Sequence, residues 1–400
     1  MEALAQVKIG FVTPWYGVDI PGGAEAATRR TAEQLKQAGL DVEVLTTCIR
    51  DFYADWGQNH YRAGLETING VPVRRFPVEA RDRQAFDQVN WRLMHNLSLS
   101  PAQVQTYIEE MIRAPTLYDF IREHAQEYLF LFIPYMFATT YYGARIAPGR
   151  SALIPCLHDE SYARLDLYQD LFHQVKALIL HADAEKELVS DLFDPPPGQI
   201  QAVVGAGVDS DFHGDAGRFR QNYGLLDTPF VLYAGRREPG KNTPLLLRYW
   251  QRYHQESGSN ARLVLIGPGD IDLPAGQHGI IDLGFVPVQD KYDAFAAADL
   301  FCLPSVHESF SIVIMESWLA GTPVLVNGHC AVTREHCQKA NGGLYFTNYH
   351  EFAATVDYLL ARPALARRLG AQGRRYVLDN FRWEIIVDKY KQVLARMLTP

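Results

Sequence analysis

Residues 230–254 read FVLYAGRREPGKNTPLLLRYWQRYH: an apolar run from Phe230 to Gly235, a polar turn holding Arg236, Pro239, Gly240 and Lys241, and a helix-like stretch from Leu245 to His254. A short apolar strand, a turn and an amphipathic helix form the repeating unit of a parallel sheet covered by helices. Further apolar runs at Arg262–Gly267, Ile281–Phe285, Leu300–Leu303 and Pro323–Val326 continue the series at similar intervals. An earlier series opens with Val7–Val12, passes a Gly-rich turn, enters the helix-like Ala24–Ala38 and stops at Gly39. Val42–Thr46 then reads as a strand, and Asn69-Gly70 as a tight turn before Val71–Phe76. Residues 81–127 are helix-like and aromatic with less regular spacing; Leu129–Ile133, Ala152–Cys156 and Ala177–Leu180 complete this half, which ends near Val204. The chain is therefore expected to be α/β, with two Rossmann-like halves. The stiff stretch Asp194-Pro195-Pro196-Pro197-Gly198 lies near their junction, and Trp383–Met397 is an amphipathic helix able to pack on either half.

A second stretch carries the chemistry. In HESFSIVIMES, Glu308 sits in a polar turn after the run Leu300–Leu303, and Glu316 lies eight positions on, inside an apolar helical run. Backbone N–H groups at a helix start bind anions without help from a side chain. Arg236 and Lys241 supply a planar fork and a point charge for the same anion, and a diphosphate fits that set. Were both glutamates helical, eight residues would separate them by roughly 12 Å, whereas glycosidase carboxyl pairs sit about 5 to 9.5 Å apart. An acid and base pair is thus disfavoured. On spacing alone, a solvated loop Glu308 and a capped or paired Glu316 fit as well.

Composition narrows the classes. The 400 residues are 48% hydrophobic and 21% charged, ordinary for a soluble globular chain of two or more domains. No apolar run reaches the roughly eighteen residues of a membrane span, and the start MEALAQVKIGFVTPW lacks the plan of an export signal. Cys48, Cys156, Cys302, Cys330 and Cys337 are odd in number and scattered, which suggests reduced thiols in a cytoplasmic protein. Residues 1–200 hold 18 Lys+Arg against 26 Asp+Glu and so carry the whole net charge of −8. Nucleic acid is a poor partner for such a surface. Arg74, Arg75, Arg81 and Arg83 form a short basic cluster, expected to be a solvated surface or a weak local contact with anionic lipid.

Two Rossmann-like halves invite a dinucleotide reading, but the turn TPWYGVDIPGGAEA after the first strand lacks the G-x-G-x-x-G fingerprint. Gly22-Gly23 still precedes a helix, so backbone there can approach a phosphate or sugar, or serve only the turn. Taken together, GGAE at 22–25, NGVPVRRFP at 69–77, GVD at 207–209, GRREPGK at 235–241, LGFVP at 283–287, ESFSIVIMES at 308–317 and GTPVLV at 321–326 resemble the retaining nucleotide-sugar glycosyltransferases of family 4, which have the GT-B fold.

That resemblance implies two Rossmann-like domains with parallel sheets facing across a cleft: an acceptor-binding domain at 1–204, a donor-binding domain at 205–382, and a C-terminal helix at 383–400 crossing back to the first. It implies that Arg236 and Lys241 bind the donor diphosphate and that Glu308 bonds donor-sugar hydroxyls. The backbone of Ser309, Phe310 and Ser311 would add donors, and Glu316 would accept the ribose hydroxyls. Phe285, Val286 and Pro287 would line the base pocket, while Gly22 and Gly23 would close over the donor. His158, in IPCLHDES, matches the family's active-site histidine. Many relatives have Gly where this chain has Ser311. The implied reaction moves a glucose- or mannose-type hexose from a UDP- or GDP-linked donor to a glycan, lipid-linked or small-molecule acceptor, retaining configuration, in surface polysaccharide or glycoconjugate biosynthesis. No cofactor is implied, and no His or Cys pair has metal-ligand spacing. The setting would be the cytoplasm, with weak contact at the inner face of the membrane as an option. Aromatic residues 51–127, among them Trp56, Tyr61 and Trp91, would build the acceptor site or simply be core. Sugar phosphorylase chemistry on the same scaffold and a non-catalytic nucleotide-binding scaffold are the competing readings. Donor base, acceptor, linkage and oligomeric state are not specified by these residues.

Overall fold

The computed structural model describes residues 4, 6–20, 22–273, 276 and 278–399. It divides into two compact units, the first Met1–Gly207 with Trp383–Pro400 and the second Val208–Arg382.

In the first unit the strands are β1 (Lys8–Thr13), β2 (Val42–Thr47), β3 (Gly64–Ile68), β4 (Val71–Phe76), β5 (Tyr128–Phe132), β6 (Ser151–Leu153), β7 (Ala177–Leu180) and β8 (Ile200–Val203). They run in the order β3-β4-β2-β1-β5-β6-β7-β8. All pairs are parallel except β3 with β4. The turn between those two is Asn69-Gly70, with φ of 50° and 81°, the left-handed pair that a two-residue hairpin turn requires. No apolar run announces β3, because its residues are almost all exposed. The strand expected at Ala152–Cys156 stops at Leu153: Pro155 has no N–H to offer a ladder, and Cys156 turns to φ 53°. Covered on both faces, β2, β5 and β7 are buried along their whole length, as a helix-covered parallel sheet demands.

Three helices, Arg83–Met94, Pro101–Glu109 and Pro115–Glu123, fill the connection from β4 to β5. Asp82 caps the first through Ala85 N, and Ser100 with Gln103 forms a reciprocal capping box on the second. Their inner faces bury Phe86, Val89, Leu93, Tyr107, Ile108, Leu117 and Ile121. The basic cluster is not the solvated or lipid-facing surface expected from sequence. Arg75 is buried, with its guanidinium 3.9 Å from the Tyr61 ring centroid and Nη2 donating to Tyr16 O. Arg81 keeps 4% of its side chain exposed and lies over Trp56 and Phe86, while Arg74 pairs with Glu43 at 2.8 Å. Arg83 alone of the four is mostly exposed. The aromatic density that surrounds the cluster draws the planar cations inward.

The helix Trp383–Met397 packs in this unit, burying Ile386, Val387, Tyr390, Val393, Leu394 and Met397. Lys389 Nζ donates to Val204 O at 3.1 Å. Gly207 must be glycine, since a Cβ there would fall 2.2 Å from the Trp383 ring.

In the second unit the strands are β9 (Phe230–Ala234), β10 (Arg262–Ile266), β11 (Ile280–Asp282), β12 (Leu300–Leu303), β13 (Val324–Asn327) and β14 (Gly343–Phe346). Their order is β11-β10-β9-β12-β13-β14, parallel throughout. This is the doubly wound order, reversing between β9 and β12. In open α/β sheets, ligands bind beyond the carboxyl ends of the strands at such a reversal. The strand expected at Ile281–Phe285 ends early at Asp282, because Gly284 takes φ 63° and turns the chain toward the next helix.

Candidate functional site

The reversal between β9 and β12 brings the two charged motifs together. Beyond β9, Tyr233 OH donates to Arg236 O at 2.6 Å, and a short turn Pro239–Lys241 leads into the helix Thr243–Ser257. Beyond β12, residues 304–311 form the loop that holds Glu308. Lys241 Nζ and Glu308 Oε1 meet at 2.8 Å. Asn242 Nδ2 donates to Pro304 O at 3.1 Å, so a side chain as well as an ion pair stitches the loops. The left-handed φ of Asn242, 56°, places it where asparagine is among the few tolerated residues. Gly267 lets β10's loop close in, since a Cβ there would lie 2.0 Å from Gly235 O.

The adjacent arginines differ. Arg236 is half-buried, with Nε 3.5 Å from Glu238 Oε1, and remains partly accessible for a ligand. Arg237 is buried, pairs with Asp282 and donates its backbone N–H to Pro268 O. It holds loops together.

Glu308 is not a solvated loop residue; 11% of its side chain is exposed. Phe310, close behind it, is buried edge-on against His336 and Phe381. Ser311 then adopts φ 76°, ψ 79° at the start of the helix Ile312–Leu319, and no side chain caps that helix. Its Oγ is buried without a hydrogen-bond partner among the described residues. The first-turn N–H groups of a helix lacking a side-chain cap are available to an anion. Glu316, one turn further in, meets Lys291 Nζ at 2.6 Å and keeps 13% of its side chain exposed. The two carboxylates therefore each have their own lysine and do not form a pair.

Lys291 escaped the sequence reading. It lies on the helix Val288–Ala297, whose N-cap is Pro287, and its N–H donates to Pro287 O. That helix links Glu316 to the loop of Phe285, Val286 and Pro287. Phe285 is 79% exposed, an apolar ring presented to solvent.

Gly22, Gly23 and His158 belong to the first unit. Gly22, at φ 144°, precedes the helix Gly23–Gln37, and a Cβ on it would fall 1.9 Å from Glu25 Oε2. Gly23 is open, with nothing within 4 Å of a Cβ. Arg29 Nη1 donates to Gly17 O and Val18 O at 2.9 and 2.7 Å, and Trp15 Nε1 donates to Glu25 Oε1 at 3.0 Å, so the loop after β1 is braced. His158 follows β6 with Nδ1 3.8 Å from Glu160 Oε1. That oxygen also accepts from Tyr135 OH at 3.4 Å. Burial, with Glu160 adding to it, pushes the Tyr135 phenol well above its usual range, which keeps it a donor.

Among the described residues, no group of three or more His, Cys, Asp or Glu is placed to hold a metal ion, and no helix is long and apolar enough to cross a membrane.

The family model for glycosyl transferases group 1 matches residues 215–376, all within the second unit. An uncharacterized glycosyltransferase of Methanocaldococcus jannaschii is 24% identical, covering 98% of this chain and 100% of its own. The D-inositol 3-phosphate glycosyltransferase of Mycobacterium sp. (strain KMS) is 30% identical over 51% of this chain and 49% of its own. Among solved structures, Anabaena HepE in complex with UDP superposes with a TM-score of 0.70 at 17% identity, covering 98% of this chain and 100% of that one. The chain has the fold of the GT-B glycosyltransferases, and its second unit carries the sequence pattern of glycosyl transferases group 1.

Proposed function

We propose that the protein is a retaining hexosyltransferase that moves a glucose- or mannose-type sugar from a UDP- or GDP-linked donor to an acceptor hydroxyl. The observation that carries this reading is the meeting of Lys241 and Glu308 at the carboxyl ends of β9 and β12, where a doubly wound sheet holds its ligand. Relatives named as glycosyltransferases, and a structural neighbour solved with UDP, support a nucleotide-sugar donor.

In this reading Arg236, Lys241 and the first turn of Ile312–Leu319 receive the diphosphate and stabilise the charge that grows on it as the glycosidic bond breaks. Glu308 accepts hydroxyl hydrogens of the donor sugar, with the backbone of Ser309, Phe310 and Ser311 beside it. Glu316, held by Lys291, accepts from the ribose, and Phe285, Val286 and Pro287 offer a face to the base. Within the first unit, Gly22, Gly23 and His158 are the residues this reading assigns to sugar contact.

The bond from the anomeric carbon to the donor phosphate breaks, and a bond to the acceptor oxygen forms on the same face. The acceptor's proton passes to the departing phosphate oxygen. No protein nucleophile is assigned, and two cations with a helix terminus supply the counter-charge that a metal would otherwise bring.

The test is incubation with UDP-glucose or GDP-mannose in the presence of a chelator, following nucleoside diphosphate release and the anomeric configuration of the product by NMR. Release with retention supports the reading. Inversion, or strict dependence on added metal, would refute the mechanism. Cleavage that requires inorganic phosphate would mark a phosphorylase.

A further inference from the structure

The first unit contains a cavity of about 740 Å3, within the usual size of small-molecule sites. Leu93 and Leu97 line one wall, at the end of the helix Arg83–Met94 and the turn beyond it, and Val104 contributes from the helix Pro101–Glu109. The facing wall is the loop after β6, beginning at Asp159 and Glu160, next in sequence to His158. The walls are tied together: Ser161 Oγ donates to Leu93 O at 2.5 Å, and Tyr162 OH donates to Asn90 Oδ1 at 2.8 Å. A doubly wound crossover needs one helix; here the extra helices between β4 and β5 make the wall.

The polar side of this cavity is acidic. Asp159, Glu160 and Asp166 line it, against Arg164 as the one lining cation among the described residues. That guanidinium is already paired with Asp159, and Arg92, next in sequence to Leu93, donates to Ser98 O. Carboxylates lining the same cavity as the apolar side chains of Leu93, Leu97, Val104 and Leu165 suit a molecule that carries both hydroxyls and C–H faces. They repel a phosphate or carboxylate, whose charge would add to theirs at short range.

We infer that this cavity is the acceptor subsite and that it takes an uncharged polyhydroxy acceptor, a sugar or polyol lacking phosphate and carboxylate groups. The inference rests on the glycosyltransferase reading for the word acceptor; the binding itself does not.

The test is saturation-transfer NMR on the full chain with methyl α-glucoside and myo-inositol, against glucose 6-phosphate and inositol 1-phosphate. Val104→Trp fills the cavity, and Asp166→Lys changes its charge at an exposed position whose side chain caps no helix. The neutral compounds are expected to bind, and their phosphates about tenfold more weakly or less. Val104→Trp should abolish neutral binding while stabilisation by nucleoside diphosphates persists, and Asp166→Lys should narrow the preference. Equal or better binding of the phosphates to the wild type, or neutral binding that survives Val104→Trp, would overturn the inference. Polyol binding lost in Val104→Trp, on a chain that no nucleoside diphosphate stabilises, would keep the cavity assignment and sink the glycosyl-transfer reading instead.

Discussion

Lys241 Nζ lies 2.8 Å from Glu308 Oε1, with 27% of the lysine side chain exposed and 11% of the glutamate. The group assigned to the diphosphate and the group assigned to the sugar thus neutralise each other, and the less accessible partner is the anion. Removing the lysine leaves a largely buried carboxylate unpaired, whereas removing the glutamate frees a cation that can reach water. Lys241→Met should therefore cost about 1–3 kcal/mol of stability, and Glu308→Gln about 0–1 kcal/mol. Both should lose about a hundredfold or more in transfer. Denaturant unfolding beside initial rates checks this, and near-normal turnover in either variant would remove it from the site.

Glu316 and Lys291 offer a ribose-specific test. If Glu316 accepts the ribose hydroxyls, the wild type should prefer a nucleoside diphosphate to its 2′,3′-dideoxy analogue by about 10–100-fold, the range for charge-assisted hydrogen bonds. Glu316→Gln should lose most of that preference, and Lys291→Met should weaken it by leaving the carboxylate less well oriented. Calorimetric titration of both nucleotides reads it directly. A preference unchanged in Glu316→Gln would place the ribose elsewhere.

Ser311 has φ 76° and a buried hydroxyl with no hydrogen-bond partner among the described residues. A left-handed conformation costs a non-glycine residue about 1–2 kcal/mol, and glycine returns part of that gain as chain entropy on unfolding. Ser311→Gly should melt at the same or a slightly higher temperature, and Ser311→Val, β-branched at positive φ, at a clearly lower one. A large loss on Ser311→Gly would mean that the hydroxyl has a role that its surroundings do not show.

Asp293 gives the second unit an acid-sensitive contact. Burial tends to raise its pKa, but Arg218, the Asp215 N–H and Gln289 outweigh burial and hold it below the ordinary 3.8. A folded pKa below the unfolded one contributes stability that is present above the unfolded value and is lost as pH falls through the folded value. Asp293→Asn should thus be less stable than wild type by about 1–3 kcal/mol at neutral pH. That gap should shrink as pH drops below 3.8. A gap independent of pH would show that the loss is one of packing.

Much of this architecture is legible in the chain because buried parallel strands must be apolar throughout. Val71–Phe76, Ala177–Leu180, Leu300–Leu303 and the helix Trp383–Met397 fall where their patterns place them. β3 is not legible, since it is almost wholly exposed, its two apolar residues Leu65 and Ile68 fall on opposite faces, and only its pairing makes it a strand. Arg75 and Arg81 mislead for the opposite reason: a charged pattern suggests a surface, while Tyr61, Trp56 and Phe86 supply ring faces that only the fold assembles. At the candidate site, Arg236, Lys241, Glu308 and Glu316 stand out because they interrupt or flank strong apolar runs. Lys291 carries no such mark; a lysine on an amphipathic helix is usually solvated, and its partner is 25 residues away.

The most direct test of the central claim, that the reversal between β9 and β12 holds a nucleoside diphosphate, is the melting temperature with UDP, GDP, ADP, their sugar conjugates and NAD, for the wild type and Lys241→Met. A ligand at a hundred times its dissociation constant adds about 2.7 kcal/mol, a readable shift. Stabilisation of the wild type by UDP or GDP and their conjugates, lost in Lys241→Met, is the expected result. Stabilisation by NAD alone, by none of them, or equally in both proteins would contradict it.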